Sequence, residues 1–118
     1  MWVCFNDTFL SIVDKASTPG ALVVRARRAG DIEKVFPGAE VKRTPGNDYL
    51  FRAEIMRGEV AAKIAERVME IDYSNFKGST KDKPLHDAYM GVWGVMGRLQ
   101  PGGPYGHGRG GRGQGRIF

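Results

Sequence analysis

The stretch Tyr49-Leu50-Phe51-Arg52-Ala53-Glu54-Ile55, followed from Glu59 by Val60, Ile64, Val68 and Ile71, decides the fold class. In the first part Tyr49, Phe51, Ala53 and Ile55 alternate with Leu50, Arg52 and Glu54, the two-residue period of a strand with one face in a core. In the second part the apolar residues recur at four, four and three positions, the stripe of an amphipathic helix. A strand passing directly into a helix excludes an all-β or all-α chain. Upstream, residues 40–43 and 49–55 flank Pro45-Gly46-Asn47-Asp48, which reads as a hairpin. Residues 2–5 and 9–13 flank Asn6-Asp7 and read as another. Between them Ser17-Thr18-Pro19-Gly20 is a strong turn signal. Residues 22–27 then alternate, with Leu22, Val24 and Ala26 on one face and Val23, Arg25 and Arg27 on the other.

Gly30-Asp31 opens a short helical segment through Ile32, Val35 and Phe36, with Asp31 expected as its cap and Pro37-Gly38 as its end. In the long helix, Glu59 and Lys63 have the spacing of a favourable ion pair. Residues 72–83 are polar and turn-rich, with Tyr73 and Phe76 expected to plug the core. A last helix begins near Pro84. Leu85, Ala88, Tyr89, Val92, Trp93 and Met96 form its apolar stripe, and Gly91, Gly94 and Gly97 recur along it. Those glycines either permit close packing or mark a helix held by tertiary contacts. The predicted architecture is α+β: an antiparallel sheet of about five strands, made of two hairpins plus one strand, with one short and two longer helices on one face. Residues 1–100 are expected to form one domain and 101–118 a Gly/Arg-rich flexible tail.

The chain has 118 residues and a formal net charge of +5. Three of its eighteen Lys and Arg residues, Arg109, Arg112 and Arg116, lie in the tail, so the body is close to neutral. Attraction to nucleic acid must therefore come from the tail or from a local patch. The tail is RGG-like, with Tyr105 and Phe118 as aromatics. Its composition suits phosphate backbones and exposed bases, or it is a solvated extension. The single cysteine, Cys4, permits no intrachain disulfide or cysteine-based zinc site. Within an apolar strand it is expected to be buried and inert. Two histidines, His86 and His107, do not make a metal site, and no cofactor is expected. The chain shows neither a membrane-span pattern nor a secretory pattern, so the expected compartment is the cytoplasm.

The densest basic cluster in the body is Arg25, Arg27 and Arg28. With Arg52 and Lys42 it reads as a basic strand face, a platform for RNA or an acidic partner. The alternative is an ordinary solvated face with Glu40 and Glu54 interleaved. The exposed aromatic pair of an RNA-reading sheet is not evident, because Tyr49 and Phe51 point into the expected core. Asn75 and Lys77, in the connection before the last helix, are further candidates for partner contact. No set of nucleophile, base and acid stands out, so a non-enzymatic binding protein is expected. Homodimerisation is an alternative if Trp2, Trp93 and the apolar strand edges remain exposed.

Several stretches occur together: Phe5-Asn6-Asp7 with Phe9-Leu10-Ser11-Ile12-Val13, Leu22-Val23-Val24-Arg25-Ala26-Arg27 with Gly30-Asp31-Ile32-Glu33, Val35-Phe36-Pro37, Asp48-Tyr49 with Phe51-Arg52-Ala53, Ile71-Asp72-Tyr73-Ser74-Asn75-Phe76-Lys77, and His86-Asp87-Ala88-Tyr89 with Val92-Trp93. Together they resemble a family of short proteins of uncharacterised function from bacterial genomes, phages and other mobile elements. The resemblance covers most of residues 1–99, excludes the tail and brings no catalytic residues. It implies a binding protein that blocks a host machine, with anti-CRISPR inhibitors of nucleic-acid-targeting complexes as the analogous class. The expected partner is then a host protein or ribonucleoprotein complex. An RNA- or DNA-binding module using the basic face and tail is the alternative.

Overall fold

The computed structural model describes residues 1–103 and 105. The chain forms two compact units, Met1–Ser79 and Thr80–Phe118. The first contains strands β1 (Trp2–Cys4), β2 (Phe9–Val13), β3 (Ala21–Ala26), β4 (Lys42–Arg43) and β5 (Phe51–Met56), with helices α1 (Asp31–Val35), α2 (Arg57–Met69) and α3 (Phe76–Ser79). The second contains helix α4 (Lys83–Gly97). The strands form one antiparallel sheet in the order β1-β2-β3-β5-β4, so the chain is α+β. Among the described residues no helix is long and apolar enough to cross a membrane.

Both expected hairpins form. Phe5 N donates to Thr8 O at 2.9 Å, closing the β1–β2 loop, while Thr44 N donates to Leu50 O at 2.7 Å in the β4–β5 loop. At the Ser17–Gly20 turn the chain reverses through a left-handed Gly20, with φ of 81°, a conformation that costs glycine little. β3 then lies between β2 and β5, with Val24 opposite both Ile12 and Ala53. That alternation buries Leu10, Ile12, Val24, Ala26, Ala53 and Ile55 on one face, where Ile32, Val35 and Phe36 of the α1 region and Val60 of α2 close the core.

Four local expectations are corrected. Gly30, not Asp31, is the N-cap of α1; its φ of 87° places Asp31 inside the first turn with no side-chain cap bond. Asp31 is instead buried between Arg28 and Lys34, each at 3.4 Å, so its carboxylate is paired rather than bare. In α2, Lys63 pairs with Glu66 at 3.6 Å rather than with Glu59. The apolar stripe of α2 also stops early. Val60 is 2% exposed and Ile64 packs on the core, but Val68 is 57% exposed. Arg67 fastens this end of the helix. Its guanidinium donates to both oxygens of Asp7, at 2.8 and 3.2 Å, and lies 4.8 Å from the ring centre of Phe5. The polar connection contains the additional short helix α3, and Tyr73 and Phe76 pair with each other, ring centres 5.9 Å apart, outside the buried core cluster.

In the second unit Asp82 caps α4 by accepting from Leu85 N at 3.1 Å, with Pro84 in the first turn. Leu85 and Tyr89 are buried, whereas Val92 and Met96 are exposed. Among the described residues a Cβ at Gly91 or Gly94 would meet no atom within 4 Å. These two glycines are therefore not points of close packing.

The early end of the α2 stripe predicts a contrast. Val60→Ala removes two buried methyl groups and leaves a cavity, a cost of about 2 kcal/mol. Val68→Ala is expected to lie within about 0.5 kcal/mol of the parent. Urea unfolding of the two variants checks this; equal losses would restore Val68 to the core.

Candidate nucleic-acid interface

The sheet face opposite the core carries the basic residues. Strand pairing sets Arg25 of β3 directly opposite Arg52 of β5, and Arg52 opposite Lys42 of β4. Cross-strand partners share a face, so three cations stand abreast on three adjacent strands. Arg27 lies one residue past the end of β3 and is exposed, and its guanidinium shares the Tyr49 ring with that of Arg25. Like charges set directly opposite one another oppose pairing, so neighbouring groups must hold them. Arg25 donates to Ser11 Oγ at 2.6 Å, Arg27 donates to Asp48 O at 3.0 Å, and an Arg52 nitrogen lies 3.9 Å from Asp48 Oδ1.

Tyr49 completes the arrangement and corrects a further expectation. Its ring is 4% exposed yet lies outside the core cluster. The guanidinium carbons of Arg25 and Arg27 sit 4.5 and 4.2 Å from the ring centre. Tyr49 precedes β5 rather than belonging to it, so the strand alternation does not govern its side chain. Two cations against one ring form a cation–π arrangement that covers the tyrosine with charge instead of aliphatic side chains. Phe51, by contrast, packs against the core as expected. Arg25 and Arg52 each retain a buried Nε–H with no acceptor among the described residues.

Beside this row is a groove of about 440 Å³, lined among others by Lys15, Lys42, Arg52, Glu40 and Glu54. Glu54 forms its wall and is not a free anion. Its carboxylate accepts from Ser17 N at 2.9 Å, Ser17 Oγ at 3.0 Å and Thr18 N at 3.1 Å. Hydrogen bonds from the Thr18 side chain first, then from Ser17 and the Thr18 backbone, lower its pKa from 4.5 to about 2. These bonds anchor the turn that feeds β3. With Glu54 engaged in this way, Lys15, Lys42 and Arg52 are the donors that the groove presents.

The other expected site residues do not join this face. Arg28 turns to Asp31. Asn75 accepts from Gly78 N at 3.1 Å and so organises α3, in which Lys77 lies. Arg109, Arg112 and Arg116 lie outside the described residues. Cys4, expected to be buried, is exposed, because β1 is an edge strand and Cys4 pairs with Phe9 on the face away from the core. In the second unit Asp87 is bound by Lys83 at 2.9 Å and approached by His86 at 3.4 Å. Those contacts, Lys83 foremost, hold its pKa below the usual carboxylate value. No group of three metal-ligating side chains occurs among the described residues.

Sequence reasoning missed Tyr49, Lys15 and the Glu54 anchor. Lys15 and the Ser17–Thr18 turn were visible as sequence, but their convergence on Glu54 depends on β3–β5 pairing. No protein-family model, curated protein or solved structure matches the chain.

The Glu54 anchor has a pH signature. A depressed carboxylate pKa contributes stability that is present above pH 4.5 and is lost as the pH falls toward 2. Glu54→Gln is expected to melt below the parent at neutral pH, with the two Tm values converging as the pH approaches 2. A gap in Tm that stays constant over that range would contradict the anchor.

Proposed function

We propose that this chain is a non-enzymatic binding protein whose sheet face engages the phosphates of nucleic acid. The observation that supports this reading most is the row Arg25, Arg52 and Lys42 on three adjacent strands. Such a row costs sheet stability and presents donors at strand spacing. Phosphate oxygens suit guanidinium and ammonium donors, and the body carries little net charge to attract an anion by any other route. The tail, with Arg109, Arg112 and Arg116, adds a second cationic element in sequence.

A second reading follows from the same cations. An inhibitor that imitates nucleic acid must be acidic, whereas this face is basic. If the chain blocks a host nucleic-acid-targeting complex, as the family resemblance implies, it does so by covering the RNA or DNA of that complex. Its addition to an RNA-guided nuclease would then suppress cleavage, and excess free oligonucleotide would relieve the suppression.

Binding of labelled oligonucleotide across a salt series tests the main reading. Log affinity is expected to fall linearly with log salt, and Arg52→Gln and Lys42→Gln are each expected to reduce the slope by about one. Replacing Arg109, Arg112 and Arg116 by Gln in the full chain separates the tail from the face. Slopes that respond to the tail substitutions alone would remove the sheet face from the mechanism.

A further inference from the structure

The basic row does not end at Arg25. Ser11 of β2 is the register partner of Arg25, and Trp2 of β1 is the partner of Ser11. Trp2, Ser11, Arg25, Arg52 and Lys42 therefore form one line across all five strands. At four strand spacings of about 4.8 Å, this line is roughly 19 Å long. Trp2 is 70% exposed. Phe9 shares its face, being two residues from Ser11, and braces the indole edge-on with ring centres 6.0 Å apart. The hydrogen bond from Arg25 to Ser11 Oγ brings a guanidinium toward the aromatic end. One end of the line is thus a held, solvent-facing aromatic surface, and the other is cationic.

We infer that this face takes a single strand, with an unpaired base stacked on Trp2 and the adjoining phosphates led across the sheet to Arg25, Arg52 and Lys42. This deepens the phosphate-binding reading and rests on it, adding the strand state of the ligand. A duplex offers phosphates to the arginines but keeps its base faces inside the stack and shows only base edges in its grooves. It gains nothing from an exposed indole. A single strand can satisfy both ends of the line, because any base has a face to stack and the backbone continues past it. An acidic peptide would satisfy the cations and leave Trp2 unused.

Fluorescence anisotropy with the full chain provides the test. The probes are a labelled oligothymidylate of about twelve nucleotides, within the usual span of a single-strand site, and a blunt-ended DNA duplex of about twelve base pairs, compared at equal phosphate concentration. The oligothymidylate is expected to bind about tenfold more tightly, and Trp2→Ala to remove about that factor. Trp2→Ala should leave duplex binding and the salt slope as they were, and Trp2→Phe should retain most of the single-strand affinity. The chain has two tryptophans, so in a Trp93→Phe background the emission of Trp2 is read alone, and oligothymidylate is expected to quench it. Equal affinity for the two probes, unquenched Trp2 emission, or an unaltered Trp2→Ala affinity would each overturn the single-strand inference. If Arg52→Gln still lowers the salt slope in that case, phosphate binding survives. If neither probe binds, both readings fall. Should Trp2→Ala fail to fold by circular dichroism, the quenching result and Trp2→Phe decide.

Discussion

The register between β3 and β5 is the constraint on which both faces of the sheet depend. Six residue pairs, from Ala21↔Met56 to Ala26↔Phe51, fix it. Val24 opposite Ala53 keeps the core side apolar, and Arg25 opposite Arg52 places the cations outside. Because side chains alternate with a period of two, a slip of one residue would turn the arginines toward Phe36 and Ile32 and bring the valine and alanine to solvent. Burial of an unpaired guanidinium costs far more than any local gain could offset. The hydrophobic pattern therefore selects the register, and the register in turn aligns the cations. Glu54 of the same strand holds the Ser17–Thr18 turn, so β5 also fixes the point at which β3 begins.

The basic row carries a local conflict. Opposed arginines repel, yet the fold supplies only partial compensation: a serine hydroxyl, the Asp48 carbonyl, a distant Asp48 carboxylate and the Tyr49 ring. A more economical surface would alternate Lys with Glu across the strands, as cross-strand pairs generally favour. Here Glu54 is available but is drawn away by Ser17 and Thr18, two positions along from Arg52. The arrangement keeps the guanidiniums oriented without neutralising them. That distinguishes the row from the two-pronged pair of Arg67 with Asp7, where charge is matched one to one and the contact fastens α2 to the β1–β2 loop.

Much of the fold was legible because the strand and helix periods are clean: the two hairpins, the turn at Gly20 and the change of period after β5 all appear in the sequence. The errors arose where tertiary contacts override a local pattern. Val68 fits a helical stripe, but Arg67 reaches Asp7 sixty residues away and ends the apolar contact there. Asp31 has the chemistry of a cap, but Gly30 can adopt a left-handed φ and takes the position instead. Tyr49 matches the parity of Ala53 and Ile55 while standing before the strand begins, so parity assigned it to the core and two arginines claimed it. For the candidate site, Arg25 and Arg52 followed directly from alternation, whereas Lys42 takes its place through the β4–β5 register and Arg27 lies just past the end of β3. Trp2 was hidden because its place in the row depends on two successive registers, β1 with β2 and β2 with β3, and no local window contains both.

The near-neutral body limits how this face can work. At physiological ionic strength the field of a surface charge is screened within about 8 Å, less than half the length of the line from Trp2 to Lys42. The cations therefore act at contact range and cannot draw a distant anion by a molecule-wide field. Under the proposed function, affinity would come from several simultaneous contacts along a rigid surface. Side chains already pinned to Ser11, Asp48 and Tyr49 lose less freedom on binding than free lysines would. Such a surface rewards a ligand that repeats its charges at regular intervals along a chain. A polyanionic strand has that property, whereas a compact anion would meet only one or two of the pinned groups.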